Sequence, residues 1–523
     1  MRINSQLKIL CSLSLLVIFC CSSWYIFVGF PIPRPVLIFG LLGVSLSLLS
    51  ASVFFTDTPA GYTLVAAIGI LNGFFLRVSG FLTVVSSGLD HGRWIARASS
   101  TIKAGSVTGS DMYAASPVYI LKMTLSHLVL GGPIHSVRFI MLLISALLPL
   151  LLSLLAYSES RDLRVSVFTL LLTIPFVFYT RTATLLEAES LALLWFVLAT
   201  FFFIRSLRAP DWRHYTLLTA TVGTAVMLHF FYSIVILLSL VGAYIIHTVA
   251  SDFGIVDQLP GDANVVKSAI AVGVVITPIW MLWSTYSHTA AVTLLSAFSI
   301  PAYESIAEIF IPSSGASAQG TGASGGGSDS LIITFGKFLP VLAIFGIGGL
   351  GSIYTFIVER RRYYVLIILA VIVGGATFGI IAVQLDYNLG FRMYYFAGIF
   401  AIIFAAIFLT RLSDAQSPSI RRLALVFVLI FILVYAVGSP LSPLGNNVDP
   451  RFGGSSWTVT KTDVAERNAM DSWTGGDVRI PHSLTQVHGS FSPKFESETV
   501  YLARSCGTNA KIGTTGGLVL CGS

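Results

Sequence analysis

Residues 394–440 read YYFAGIFAIIFAAIFLTRLSDAQSPSIRRLALVFVLIFILVYAVGSP. Two apolar blocks, 394–410 and 423–440, flank a polar turn that carries Arg411, Arg421 and Arg422. At about 1.5 Å of rise per residue, a helix of roughly twenty residues covers the ~30 Å of hydrocarbon in a bilayer. Neither block alternates with a period of two, so the pair reads as a helical hairpin rather than as barrel strands. Blocks of the same kind recur at 8–29, 36–55, 61–84, 137–157, 164–180, 188–206, 214–230, 232–249, 267–286, 338–358 and 364–383. The sequence therefore predicts an all-α polytopic membrane protein with about thirteen transmembrane helices.

Composition agrees. Of 523 residues, 55% are hydrophobic and 11% charged, whereas a water-soluble domain needs about 25% charged residues to coat its surface. The formal charge of +7 sits mostly in short loops, so it speaks of orientation rather than of nucleic acid. The first block is too long for a signal-peptide core, and Cys20-Cys21-Ser22-Ser23-Trp24 is a poor cleavage site, so it reads as a retained span. Cys11, Cys20 and Cys21 fall inside it as small apolar residues; Cys506 and Cys521 stand apart in the tail, open to a disulfide on an oxidising side. No Cys/His spacing suits a metal.

The loops between blocks alternate in charge. One set carries Arg2 and Lys8, then Arg161 and Arg164, then Arg205, Arg208 and Arg213, then Lys267, then Arg360 to Arg362, then Arg411, Arg421 and Arg422. The opposite short loops carry little beyond Arg34, Arg181 and Arg392. The positive-inside bias then puts the N-terminus in the cytoplasm and the tail outside. Residues 117–134 are apolar but short and hold Lys122 and His127; they are expected as an interfacial helix, and a crossing there would reverse every later loop. Three long segments face outward: 85–136, 287–337 with its Gly/Ser linker 313–330, and the tail 441–523. The expected division is a transmembrane domain, 1–440, and a small extracytoplasmic tail. In that tail, Trp457–Trp473 suits an amphipathic helix, while 500–502 and 518–520 suit short strands.

Chemistry concentrates in the first outer segment, Gly88 to Gly132. Asp90, Arg93, Trp94 and Arg97 fall on one face at helical spacing, with Asp90 at the helix start; Gly105 and Gly109 break that helix. A carboxylate just outside the bilayer suits a general base, and neighbouring guanidiniums suit a departing phosphate. The plainer alternative is a helix cap beside arginines that bind lipid headgroups.

The segment resembles the GT-C superfamily of membrane glycosyltransferases, both its dolichyl-phosphate-mannose-dependent protein mannosyltransferases and its oligosaccharyltransferases. The resemblance rests on Asp90, Trp94, Ala96, Gly105, Tyr113, Ser116-Pro117-Val118-Tyr119, Gly131-Gly132 and Arg138, with Arg77 near the end of the preceding span. More weakly, Ile174 to Glu189 looks like the second outer loop of that family, and Phe391 to Tyr395 like its Arg-led late span. His91 stands where many members carry a second acid. The resemblance implies an enzyme that moves a sugar from a polyprenyl-phosphate carrier to an acceptor glycan, lipid or protein, with inversion at the anomeric carbon. It implies Asp90 as the base and Arg93, Trp94, Arg97, Asp111, Tyr113, Asp386 and Arg392 as substrate-binding groups. It also offers Glu187 and Glu189 as oxygen ligands for Mg²⁺ or Mn²⁺, against the alternative of an acidic first helical turn. Asp111 also suits a structural turn, and Arg392 an interfacial anchor.

Two other functions compete. A transporter or flippase fits Gly-rich stretches such as Ile344–Gly351, if those glycines are hinges, although close helix packing explains them equally. The ionisable residues are read as gathering at the outer ends of spans, which favours the enzyme. A scaffold that has lost its chemistry fits the missing acid beside Asp90.

Overall fold

In the computed structural model, the residues described are 4–28, 36–81, 84–87, 98–106 except 99, 117–130, 135–176, 188–209, 211–252, 263–283, 331–382, 387–441 except 415, and five short strands in the tail. Helices α1 (Ser5–Val28), α2 (Val36–Val53) and α3 (Pro59–Phe81) come first, followed by strand β1 (Val84–Ser87). Then follow α4 (Pro117–Leu130), α5 (His135–Ser160), α6 (Leu163–Thr173), α7 (Ala188–Arg208), α8 (Trp212–Leu228), α9 (Phe230–Asp252) and α10 (Ala263–Trp283). The last helices are α11 (Leu331–Val358), α12 (Arg360–Ala382), α13 (Tyr387–Ser413) and α14 (Pro418–Leu441). Each predicted apolar block overlaps a helix, and among the described residues five helices are long and apolar enough to cross a bilayer by length and composition.

The arginine-bearing turns meet at one end of the bundle. Arg208 donates to Glu159 Oε2 at 2.8 Å and to the carbonyl of Arg362 at 2.7 Å, joining the ends of α5, α7 and α12. Arg411 on α13 pairs with Glu359 at 2.5 Å, and Arg164 on α6 pairs with Asp414 and with Asp162. Arg421 donates to the carbonyl of Phe54 at 2.5 Å, and Asn4 to that of Phe55 at 3.4 Å, which brings α14, α1 and the α2–α3 turn to the same end. Asp162 also caps α6, its carboxylate accepting from the Arg164 amide at 2.9 Å. The loops grouped by charge in the sequence are thus grouped in space. The expectation that ionisable residues gather at the outer ends does not hold for the described residues. The turns at this end pair acids with arginines contributed by other helices.

Chain direction carries α3 away from the paired turns at Pro59, and α5 returns to them at Ser160. Phe81 and His135 therefore both lie at the opposite end, and α4 falls between them in the chain. Its 14 residues cover only about 21 Å as a helix. Tyr119, Ile120, Met123 and Thr124 face inward, while Leu121, Leu125, Leu128 and Val129 are exposed, as befits a helix lying against protein on one side and lipid on the other.

The axis of the bundle is α13, whose residues Tyr395, Phe396, Ile399, Phe400, Ile403, Phe404 and Ile407 are buried. It packs on α11, α12, α6 and α14. Because lipid is as apolar as leucine, such helices are held by close packing and interhelical hydrogen bonds. Gly348 of α11 lies so close to α13 that a Cβ there would stand 2.6 Å from the carbonyl oxygen of Ala401, and Gly351 is tighter still against Phe404. These glycines are contact points. Ser14 and Ser45 share a hydrogen bond of 2.6 Å between α1 and α2, and Ser153 and Ser166 one of 2.7 Å between α5 and α6.

At the end opposite the paired turns, β1 pairs antiparallel with β2 (Thr458–Thr460), Ser87 facing Thr458 and Val84 facing Thr460. The tail also forms a sheet of β3 (Val478–Arg479), β4 (Val500–Ala503), β5 (Lys511–Thr515) and β6 (Leu518–Gly522), in the order β3-β4-β6-β5. The strands expected near 500 and 518 are β4 and β6. The helix expected over 457–473 is not formed at its start: Thr458, Val459 and Thr460 are β-branched and pair with Ser87, Ser86 and Val84 of β1. For the same reason the third span ends at Phe81 rather than running to Val84. The rest of that helix, and Cys506, lie outside the described residues.

Candidate functional site

The helix directions carry four of the residues singled out in the sequence to the end away from the paired turns. Arg77 lies near the C-terminus of α3, Arg138 in the first turn of α5, Glu189 in the first turn of α7 and Arg392 in the second turn of α13, all at this end. The side chains of these four residues lie outside the described residues, as do Asp90, Arg93, Trp94, Arg97, Asp111, Tyr113, Glu187 and Asp386 altogether. What the backbone brings together is therefore the carriers of these residues: the last turns of α3, strand β1 leading toward Asp90, and the N-termini of α5, α7 and α13. Those N-termini turn unpaired N–H groups and the positive ends of their dipoles toward this end, which suits an anion such as phosphate.

Further along the first outer segment, residues 100–104 are helical. Gly105 closes that helix at φ 69°, its amide donating to the carbonyl of Thr101 at 2.9 Å. This is the left-handed cap that glycine takes without a Cβ clash.

Below Arg392, α13 carries aromatic side chains into the bundle. Tyr394 stacks near Phe345 of α11 (centroids 4.9 Å apart), near Phe176 beyond α6 (6.1 Å) and near its neighbour Tyr395 (5.9 Å). The hydroxyls of Tyr394 and of Tyr435 on α14 are buried without a hydrogen-bond partner among the described residues. A buried orphan hydroxyl carries a cost of about 1–3 kcal/mol.

Lys122 is the group that reading the sequence left as a mere feature of an interfacial helix. Its ammonium lies 5.9 Å from the ring centroid of Tyr119, one turn earlier on α4, and burial pushes its pKa from 10.5 down to about 7. The sequence signal was available: a lysine in the middle of an apolar segment too short to span. Among the described residues no cluster of three His, Cys, Asp or Glu side chains offers a metal site.

No protein-family model matches the chain, and no curated protein matches its sequence. Solved structures do match in fold. ArnT from Cupriavidus metallidurans, in a crystal structure bound to undecaprenyl phosphate, is 14% identical, with a TM-score of 0.51 over 89% of this chain and 98% of ArnT. The apo structure of ArnT is 13% identical at the same TM-score and coverage. In fold, the chain is a helical bundle similar to ArnT over most of its length, and five of its described helices are long and apolar enough to cross a bilayer.

Proposed function

We propose that the chain is a glycosyltransferase that moves a sugar from a polyprenyl-phosphate carrier to an acceptor at the end of the bundle away from the paired arginines. The observation that carries this reading is the fold shared, over 89% of the chain, with ArnT in a structure bound to undecaprenyl phosphate. The arginine-bearing end is the cytoplasmic one under the positive-inside rule, so the N-terminus is cytoplasmic and the tail extracytoplasmic. About thirteen spans then separate the two faces.

In this reading the Asp90 carboxylate takes the proton of the acceptor hydroxyl as its oxygen bonds to the anomeric carbon. The bond from that carbon to the phosphate oxygen breaks, and the electron pair leaves with polyprenyl phosphate. Attack from the face opposite the phosphate inverts the anomeric centre. Arg392 supports the phosphate as its charge develops, with Arg93, Arg97 and the Lys122 amine in support. Trp94 and Tyr113 give the sugar an apolar and hydrogen-bonding wall, and Asp111 and Asp386 accept from its hydroxyls. Glu187 and Glu189 are the oxygen ligands that a divalent cation such as Mg²⁺ or Mn²⁺ would find here. The acceptor is a glycan, a lipid or a protein.

The paired turns weigh against a transporter. Alternating access opens each end in turn, and Arg208, Arg411 and Arg164 tie four turns together at one of them. Gly348 and Gly351, the proposed hinges, are wedged against α13.

The test is complementation in a strain lacking the protein, with envelope glycans read by mass spectrometry. Wild type restores a sugar addition and Asp90→Asn, expressed to the same level, does not. Equal restoration by both removes Asp90 from the base role; a null strain with unchanged glycans refutes the transferase reading.

A further inference from the structure

At the arginine-bearing end a polar recess of about 240 Å³ opens between the α2–α3 turn, the start of α6 and the α13–α14 turn. Its lining includes Phe54, Thr56, Asp57, Arg164, Asp414 and Arg421. The volume equals roughly eight waters at about 30 Å³ each, enough for a small charged headgroup.

The charges around it do not all cancel internally. Arg164 is fully engaged: its Nε and Nη2 donate to Asp162 at 3.3 and 3.2 Å, and its Nη1 donates to Asp414. Asp414 in turn also lies 3.8 Å from Arg411. Two groups of opposite sign are left. Asp57 is exposed and makes no ion pair among the described residues. Arg421, also exposed, gives one Nη2 hydrogen bond to the carbonyl of Phe54 and faces no carboxylate at ion-pair distance among the described residues. A ligand matched to both carries an anion and a hydrogen-donating ammonium a few atoms apart.

The surroundings choose between a dissolved zwitterion and a lipid. Arg421 stands on the first turn of α14 between Ile420 and Leu423, which are 53% and 71% exposed. Beyond them, Phe427, Ile430 and Val434 continue an exposed apolar stripe at helical spacing toward the bilayer centre. A headgroup in the recess therefore has a track for its acyl chains.

We propose that this recess binds the phosphoethanolamine headgroup of a bilayer lipid, its phosphate on Arg421 and its ammonium on Asp57, with the acyl chains along α14. The site lies at the end of the bundle opposite strand β1 and does not rest on the transferase reading.

The experiment is native mass spectrometry of the full chain released into an equimolar mixture of phosphatidylethanolamine, phosphatidylcholine and phosphatidylglycerol. Phosphatidylethanolamine is retained preferentially, because the choline nitrogen has no N–H to donate and phosphatidylglycerol has no ammonium. Asp57→Asn lowers that preference about tenfold, the scale of one charge-assisted hydrogen bond, while Asp57→Glu keeps it. Arg421→Gln weakens retention of all three lipids. Equal retention of the three by wild type overturns the proposal without any variant having to fold. So does a preference that survives Asp57→Asn, or displacement of the lipid by an equal concentration of soluble glycerophosphoethanolamine.

Discussion

Arg208 holds Glu159 at 2.8 Å, and the two are unequally buried: the glutamate side chain is 1% exposed, the arginine 27%. The acid is sealed in the bundle and the arginine is its route to charge balance. Arg208 also donates to the Arg362 carbonyl, so one side chain ties α5, α7 and α12.

Burial already raises the Glu159 pKa to about 7 against the pull of Arg208, so removing the arginine leaves a buried acid that must take up a proton. Arg208→Ala is expected to cost about 1–3 kcal/mol, and Arg208→Ala with Glu159→Leu less, because the second change removes the buried polar group. A thiol-reactive dye that reports exposure of the buried Cys11 and Cys21 during thermal unfolding of the detergent-solubilised protein measures both. A double variant no more stable than Arg208→Ala alone contradicts the sealed-acid picture.

Glycine positions on α11 separate close contacts from open space within two turns. Gly348→Val drives a side chain into the Ala401 backbone and is expected to cost about 1–3 kcal/mol. Gly349→Ala, where nothing lies within 4 Å of a new Cβ, is expected to be neutral or to stabilise by up to about 1 kcal/mol. Equal losses at both positions count against the α11–α13 contact.

Lys122 gives the fold a pH dependence of known sign. Its folded pKa of about 7 lies below the ordinary 10.5, so between those values the unfolded chain binds more protons and stability rises with pH. The penalty of the buried charge is fully present below pH 7. Lys122→Met is expected to raise the melting temperature most at pH 6.5 and least at pH 10. A wild-type minus variant difference that is flat over this range shows that the amine is not desolvated.

The pairing of β1 with β2 predicts a cross-link. Ser87→Cys with Thr458→Cys, opposite each other in the register, should form a disulfide under mild oxidation, seen as a mobility shift reversed by reductant. The pair Ser87→Cys with Val478→Cys, in a different sheet, should not.

Much of the helical frame was legible because its signals are local. Blocks of apolar residues such as 423–440 mark their own helices, and the arginines of each turn mark their side of the bundle. What stayed hidden depends on partners remote in the chain. Arg164 and Asp414 are 250 residues apart, and Arg208 and Arg362 are 154 apart, so no window on the sequence joins them. Glu159, Glu359 and Asp414 still left a trace as acids at helix ends within arginine-rich turns. The strand at Thr458 was misread as helix because the register with Val84 outweighs the amphipathic spacing of the residues that follow it. At the candidate site, the sequence named Asp90 and its neighbours, and the helices carry Arg77, Arg138, Glu189 and Arg392 to one end of the bundle.

Asp90 follows Ser87 by three residues, and Ser87 is laced to Thr458. The strand just before the proposed base is thus tied both to α3, which precedes it, and to β2 in the tail. A lesion far downstream that loosens Thr458 to Thr460 is expected to loosen Ser87, three residues before Asp90, through a ladder of three residue pairs. Truncation of the tail would then resemble a defect in the base while leaving every residue of the first outer loop intact.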